Sequence, residues 1–326
     1  MTNESNAPAQ TEETPVPTSH VGPSTRGGQA KSPLGPEPVT IVRCRTLIGW
    51  MSEQEAVTAL LGRSPGPGDD VAEPHKVARA HRDAVGRRPP FIVRQSVVDR
   101  NEPVLAEIGA RPELMAELGA TAWRPALVDL RNVIAFQKAI NLEGQAERVG
   151  TVAADDMRAL ADVCVPPTQG SPPAGAITDG DGKGFTVSSV NPNLRIVGAH
   201  VADASLARGG TLPPVRVQAL TLFASMTGSN LTAVSYKGRT FLRDGYHRAT
   251  GLLRRGIFIV PCVHVEARSF EEVVPPGGSF LGYEMLFGDR PPVIADFWDD
   301  SVAAEVEQIQ LRKVIRIRGD EFMVQR

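Results

Sequence analysis

This chain is poor in cysteine, in aromatic residues and in excess charge of either sign. Three widely spaced cysteines, Cys44, Cys164 and Cys262, stand among 326 residues. They form no CxxC pair and no Cys/His cluster, which argues against a disulfide framework or a zinc site and suits a reducing compartment. Lys and Arg number 35 against 37 Asp and Glu, a net charge of −2. Binding of nucleic acid by bulk positive charge is therefore not expected, although a local basic face stays open. No apolar run approaches the roughly 18–20 residues of a membrane helix. The polar Met1–Gln10 stretch lacks the apolar core of a secretory leader. The expectation is a soluble, cytoplasmic protein with no membrane partner. Hydrophobic residues at 41% and charged residues at 22% are ordinary for a globular chain. Its length allows one large domain or two modest ones.

Residues 1–38 are dominated by Pro, Gly, Ser, Thr and Glu without apolar period, so the sequence predicts a disordered tail. Order is predicted from Val39, with a strand over Val39–Cys44. Ser52-Glu53-Gln54-Glu55 matches a capping box and Gly62 a helix stop. A basic helix is expected over His75–Val85, a strand over Phe91–Val98, and two short helices between Pro103 and Leu118 broken at Gly109–Pro112. Trp123–Ile140 is ambiguous between strand and helix, and Asp155–Val165 reads as a helix. No catalytic set is legible in residues 39–165. Residues 166–184 (PPTQGSPPAGAITDGDGKG) read as a linker or long loop. Beyond them, Phe185–Val190, Arg195–Val201, Val215–Phe223, Leu231–Tyr236 and Arg239–Leu242 are predicted strands, with Lys237-Gly238 as a hairpin turn. Residues 291–326 are read as a C-terminal extension of a helix and a β-hairpin. The fold class expected is α+β.

One segment carries a chemical signal. Tyr236–Glu266 reads YKGRTFLRDGYHRATGLLRRGIFIVPCVHVE. A strand runs into Asp244-Gly245, a helix begins near Tyr246 and ends at Gly256, and a second strand follows Pro261. Glycine at a strand-to-helix turn allows close approach to backbone, and a helix amino end offers unpaired N–H groups that favour an anion. His247 and Arg248 add charge-assisted donors. The competing reading is structural: Asp244 caps the helix and the arginines are solvated. Both stay open on spacing alone. Arg254 and Arg255 read as a solvated helix end, Arg195 and Arg216 as weaker candidates for a basic pocket, and Cys262 and His264 as ordinary strand residues.

The Asp244–Ala249 run (DGYHRA), its helix closing at Gly256 and the Val260–Val265 strand (VPCVHV) resemble the signature of the ParB/sulfiredoxin superfamily. The likeness runs over residues 185–270 and leaves the first half of the chain uncovered. It implies a ParB/sulfiredoxin-like mixed sheet with helices over 185–290, preceded by a mixed α/β region over 39–165. It further implies a nucleotide site in which Gly245, His247 and Arg248 hold phosphates and Tyr246 lines the turn. ATP or CTP with Mg²⁺ would be the ligand, and a small-molecule phosphoryl acceptor or DNA a partner. A kinase or NTPase activity would use Asp244 or a glutamate among Glu266, Glu271 and Glu272 as base. The alternatives are a nucleotide-responsive DNA-associated regulator and a ParB-like nuclease. Two departures narrow the choice. Tyr246 stands where sulfiredoxins carry their catalytic cysteine, so reduction of a sulfinic acid is not expected. No E-N-x-x-R element follows Val265, which weakens a chromosome-partition clamp.

Overall fold

The computed structural model describes residues 39–119, 122–143, 145–167, 177–179, 184–189, 194–206, 215–226, 229–274 and 280–318. The expected disordered tail, most of the linker and the last eight residues lie outside them. The first half of the chain supplies β1 (Ile41–Thr46), α1 (Glu53–Leu61), α2 (Ala72–Arg87), β2 (Val97–Val98), α3 (Pro103–Gly109), α4 (Pro112–Leu118), β3 (Trp123–Asp129), β4 (Ile134–Ala135), β5 (Ala139–Asn141), α5 (Gln145–Val149) and α6 (Met157–Cys164). Next come β6 (Ile177–Asp179), β7 (Gly184–Ser189), β8 (Leu194–Leu206), β9 (Val215–Met226), β10 (Thr232–Tyr236), β11 (Arg239–Asp244), α7 (Tyr246–Arg254) and β12 (Ile259–Glu266). The chain closes with α8 (Phe270–Val273), α9 (Tyr283–Phe287), β13 (Ala304–Ile309) and β14 (Lys313–Arg318). The class is α+β, and none of the described helices is long and apolar enough to cross a membrane.

Local signals account for most of these elements. Ser52 Oγ accepts the Glu55 N–H while Glu55 Oε2 accepts the Ser52 N–H, the reciprocal capping box, and α1 ends at Gly62 in the left-handed region. Pro103 and Pro112 each begin a helix, where a missing N–H costs nothing. Lys237 and Gly238, at φ of 48° and 73°, make the two-residue turn that joins β10 to β11. Of Phe91–Val98, only Val97 and Val98 form a strand, paired with Val128 and Leu127 of β3. Ile92 and Val93 stay exposed after the Pro89-Pro90 pair.

The central sheet corrects the expected domain division. Its order is β2-β3-β12-β10-β11-β4, so three strands from 185–290 lie between strands from 39–165 in one sheet. β12 runs antiparallel to β3 and parallel to β10. The 166–184 break therefore separates two stretches of sequence but not two cores, and a single apolar cluster takes residues from both. Within residues 291–326, β13 pairs with β1 and β14 with β7, while the second strand expected for the C-terminal hairpin, Glu321–Arg326, lies outside the described residues. Pro261 lies inside β12 rather than at its start. Val263 N donates to Leu231 O, so by the period of two the position of the Pro261 nitrogen faces the same side, before β10 has begun.

The site's scaffold is pinned by Tyr246, 3% exposed. Its hydroxyl donates to Leu242 O (2.7 Å) and accepts the N–H groups of Phe136 (2.6 Å) and Gln137 (3.3 Å). One phenol thus ties α7 to β11 and to the chain leaving β4. Tyr246→Phe should lose about 1–3 kcal/mol of stability, because a buried Phe136 N–H is left without an acceptor. Urea denaturation would show this as a lower midpoint at unchanged slope.

Candidate phosphate-binding turn

The turn is placed by packing on both sides. Gly245 is the amino cap of α7 at φ +90°. A Cβ there would come within 2.8 Å of Leu231 Cα, so glycine is required by the backbone of the neighbouring chain and by its own φ. The close approach inferred from sequence is therefore made by Leu231. Further along α7, a Cβ on Gly251 would lie 2.7 Å from a Val149 methyl, which lets α5 sit against the helix. That contact brings Arg148, in the last turn of α5, beside His247 and Arg248.

Asp244 does not cap α7. Its Oδ1 accepts the Gly245 N–H at 2.7 Å and the Ser229 hydroxyl at 3.0 Å, which holds the turn shut from the strand side. Arg248 N and Ala249 N both donate to Gly245 O. The Tyr246 and His247 N–H groups have no acceptor among the described residues, as first-turn donors of a helix should not. Arg248 is 9% exposed. Its Nη1 donates to Cys164 O at 3.1 Å, and among the described residues no carboxylate lies within ion-pair distance. Burial lowers its pKa, opposed by the more distant Asp244. His247 is half-buried, and burial with the charges of Arg148 and Arg248 pushes its pKa down to about 4. The turn thus gathers two guanidinium groups, a neutral imidazole and two open N–H groups around Asp244, whose Oδ1 is already engaged.

Other expected site residues fall elsewhere. The Tyr246 side chain is turned into the core, so it cannot line a ligand. Glu266 is mostly exposed at the far end of β12 and lies 3.5 Å from His264 Nε2. Register explains the separation: Asp244 pairs with Thr232 and Glu266 with Ser235, on opposite sides of β10. That is three residues, or about 10 Å, along the strand. Glu271 and Glu272 follow on α8 at the same remote end, where Glu272 accepts the Arg268 N–H. Arg195 and Arg216 belong to the β8–β9 ribbon. Arg254 and Arg255 are exposed but engaged: Arg254 covers the Trp298 ring, and Arg255 donates to Gly150 O and Val152 O. Cys262 is fully buried with its thiol pKa raised, and His264, also buried, bonds Ser235 Oγ. The residue missed from sequence is Arg148, whose only local signal is a basic side chain in the last turn of a five-residue helix.

Two consequences can be measured. Gly245→Ala should cost about 2–4 kcal/mol through positive-φ strain and the clash with Leu231, read by thermal or urea unfolding. His247 has a folded pKa near 4, below the 6.5 of the unfolded chain. The unfolded state therefore binds the extra proton between those values, and this residue's contribution is full above pH 6.5 and declines as pH falls toward 4. His247→Asn should flatten that part of the stability–pH curve, and an unchanged slope would remove His247 as its source. No protein-family model, curated protein or solved structure matches this chain.

Proposed function

We propose that the chain binds a nucleoside triphosphate, ATP or CTP, by its phosphates at the amino end of α7. The observation that carries this reading is the meeting of Arg148, His247 and Arg248 around the open Tyr246 and His247 N–H groups, with Asp244 as the one adjacent carboxylate. A buried guanidinium with a single carbonyl partner is costly unless an anion completes it. Phosphate oxygens suit the planar fork of Arg248 and the helix N–H groups together. The ParB/sulfiredoxin-like motif supports the same assignment.

Among the described residues no group of three metal-ligating side chains is present, so a protein cage for Mg²⁺ is not expected. The ion would be carried on the nucleotide's own phosphates, with Asp244 the nearest carboxylate, where it would neutralise charge on the transferring group. If a phosphoryl group is passed to a small-molecule hydroxyl, Asp244 is the base within reach of the turn. Its Oδ1 is held by Gly245 and Ser229, and Oδ2 has no hydrogen bond among the described residues. Glu266 is not assigned that role. A nucleotide-responsive regulator would use the same turn without turnover.

Calorimetric titration of ATP, CTP, ADP and GTP with Mg²⁺ tests the site. One nucleotide should bind, and Arg248→Ala should weaken it by about 1.5–3 kcal/mol, roughly tenfold to over a hundredfold. Bound phosphate should raise the pKa of His247, so at pH 5–6 binding should take up a proton that His247→Asn no longer takes up. Absence of binding, or binding untouched by either substitution, overturns the proposal.

A further inference from the structure

A second basic site lies at the other end of the sheet. Residues 88–94, 131–132 and 290–296 enclose a cleft of about 370 Å³. Arg239, six residues before Gly245 on β11, covers the ring of Phe91, which lines the cleft. The cleft is thus about 20 Å from the α7 turn along the strand. Its volume suits a small organic molecule.

Four arginines line it, and they divide into two kinds. Arg88 reaches Asp296 Oδ1 at 2.8 Å and also bonds Asp299, and Arg131 holds both oxygens of Asp129. Those two are balanced and serve as frame. Arg290 donates its Nε to Arg88 O at 2.6 Å, which anchors the stem. Its terminal nitrogens, and the whole guanidinium of exposed Arg94, have no hydrogen bond and no carboxylate within 4 Å among the described residues. Four guanidinium groups therefore face three carboxylates: Arg94 acts on Asp129 from beyond ion-pair distance and shares it with Arg131, and it lines the cleft together with Arg290.

The remaining wall is apolar and rigid. Pro89, Pro90 and Pro291 need no ordering of backbone, Phe91 is fastened by its N–H to Asp289 O, and Ile92 is 67% exposed at the rim. Trp50 spends its indole N–H on Arg290 O at 2.7 Å, so its ring is held in place in the wall. An apolar wall beside two donors in fork geometry is the arrangement that orients an amphiphilic anion.

We propose that this cleft binds a small organic anion, a carboxylate or phosphate carried on an aromatic or branched apolar body, with Arg94 and Arg290 holding the charge and Phe91, Ile92 and the prolines the body. The assignment is independent of the α7 turn.

Phenyl phosphate, inorganic phosphate and benzyl alcohol are suitable probes, titrated into the full chain and followed on its tryptophan indole N–H resonances. Trp50 reports on the cleft, and Trp298, whose indole N–H donates to Thr250 O, reports on α7. Phenyl phosphate should shift the Trp50 signal saturably and leave Trp298 in place. It should bind more tightly than inorganic phosphate, while benzyl alcohol should not saturate. Arg94→Gln together with Arg290→Gln should weaken phenyl phosphate at least tenfold, and Arg290→Lys should retain part of the affinity. Arg94→Gln alone removes an exposed side chain that makes no hydrogen bond among the described residues and acts on Asp129 only at a distance, so its effect on folding should be small. A Trp50 signal that does not saturate, a shift confined to Trp298, or equal affinity in the doubly substituted chain would overturn the proposal.

Discussion

Strand β12 must be hydrogen-bonded on both sides, and the rest of the sheet is arranged to do it. Val260, Cys262, Val263, His264 and Val265 are buried. Water cannot serve their backbone groups, so neighbouring strands must. On one side β3 supplies a seven-residue antiparallel ladder, and on the other β10 supplies a parallel one that starts two residues after Pro261. A parallel pair needs a crossover connection, and here β11 and α7 lie between β10 and β12. The helix is thus the obligatory link in a sheet that takes its strands from both halves of the chain. Its amino end has to emerge beside Leu231, where β10 begins.

From that constraint the turn follows. Gly245 touches Leu231 so closely that no side chain fits, and Tyr246, next in line, points inward to close hydrogen bonds at β11 and after β4. His247 and Arg248 are then the first α7 side chains available near the turn, and the fit of α5 against Gly251 adds Arg148. Positive charge collects there because packing places it there. A comparable imbalance arises at the opposite sheet end, where among the described residues Arg94 and Arg290 form none of the close ion pairs that steady Arg88 and Arg131. A chain with net charge −2 thus carries two local cationic sites, which bulk composition does not reveal.

The elements legible in the sequence were those settled by local chemistry. A side chain three residues from its own backbone partner made the Ser52 capping box visible, and left-handed conformations at Lys237-Gly238 and Gly256 marked turns. The strand–turn–helix around Asp244–Arg254 was readable for the same reason. Phe91–Val98 was misread because its apolar run is not sheet core: Phe91 and Ile92 border the cleft, and the ladder takes only Val97 and Val98. Glu266 looked adjacent to the motif because it closes the strand that follows the helix. Parallel pairing carries it instead to the far end of β10.

What the sequence determined by itself was therefore the helices α1–α4, α6 and α7, the turns and many of the strands, together with the strand–turn–helix that ends in His247 and Arg248. Contacts within a few residues, capping, φ preference and periodicity suffice for these. Tertiary structure alone decided that β3 would border β12, that Tyr246 would face the core, that Arg148 would join the turn, and which arginines would be balanced. Those outcomes depend on burial and on partners more than a hundred residues away, as with Tyr246 and Phe136 or Arg88 and Asp296. Side-chain identity in one segment carries no record of which distant segment will cover it.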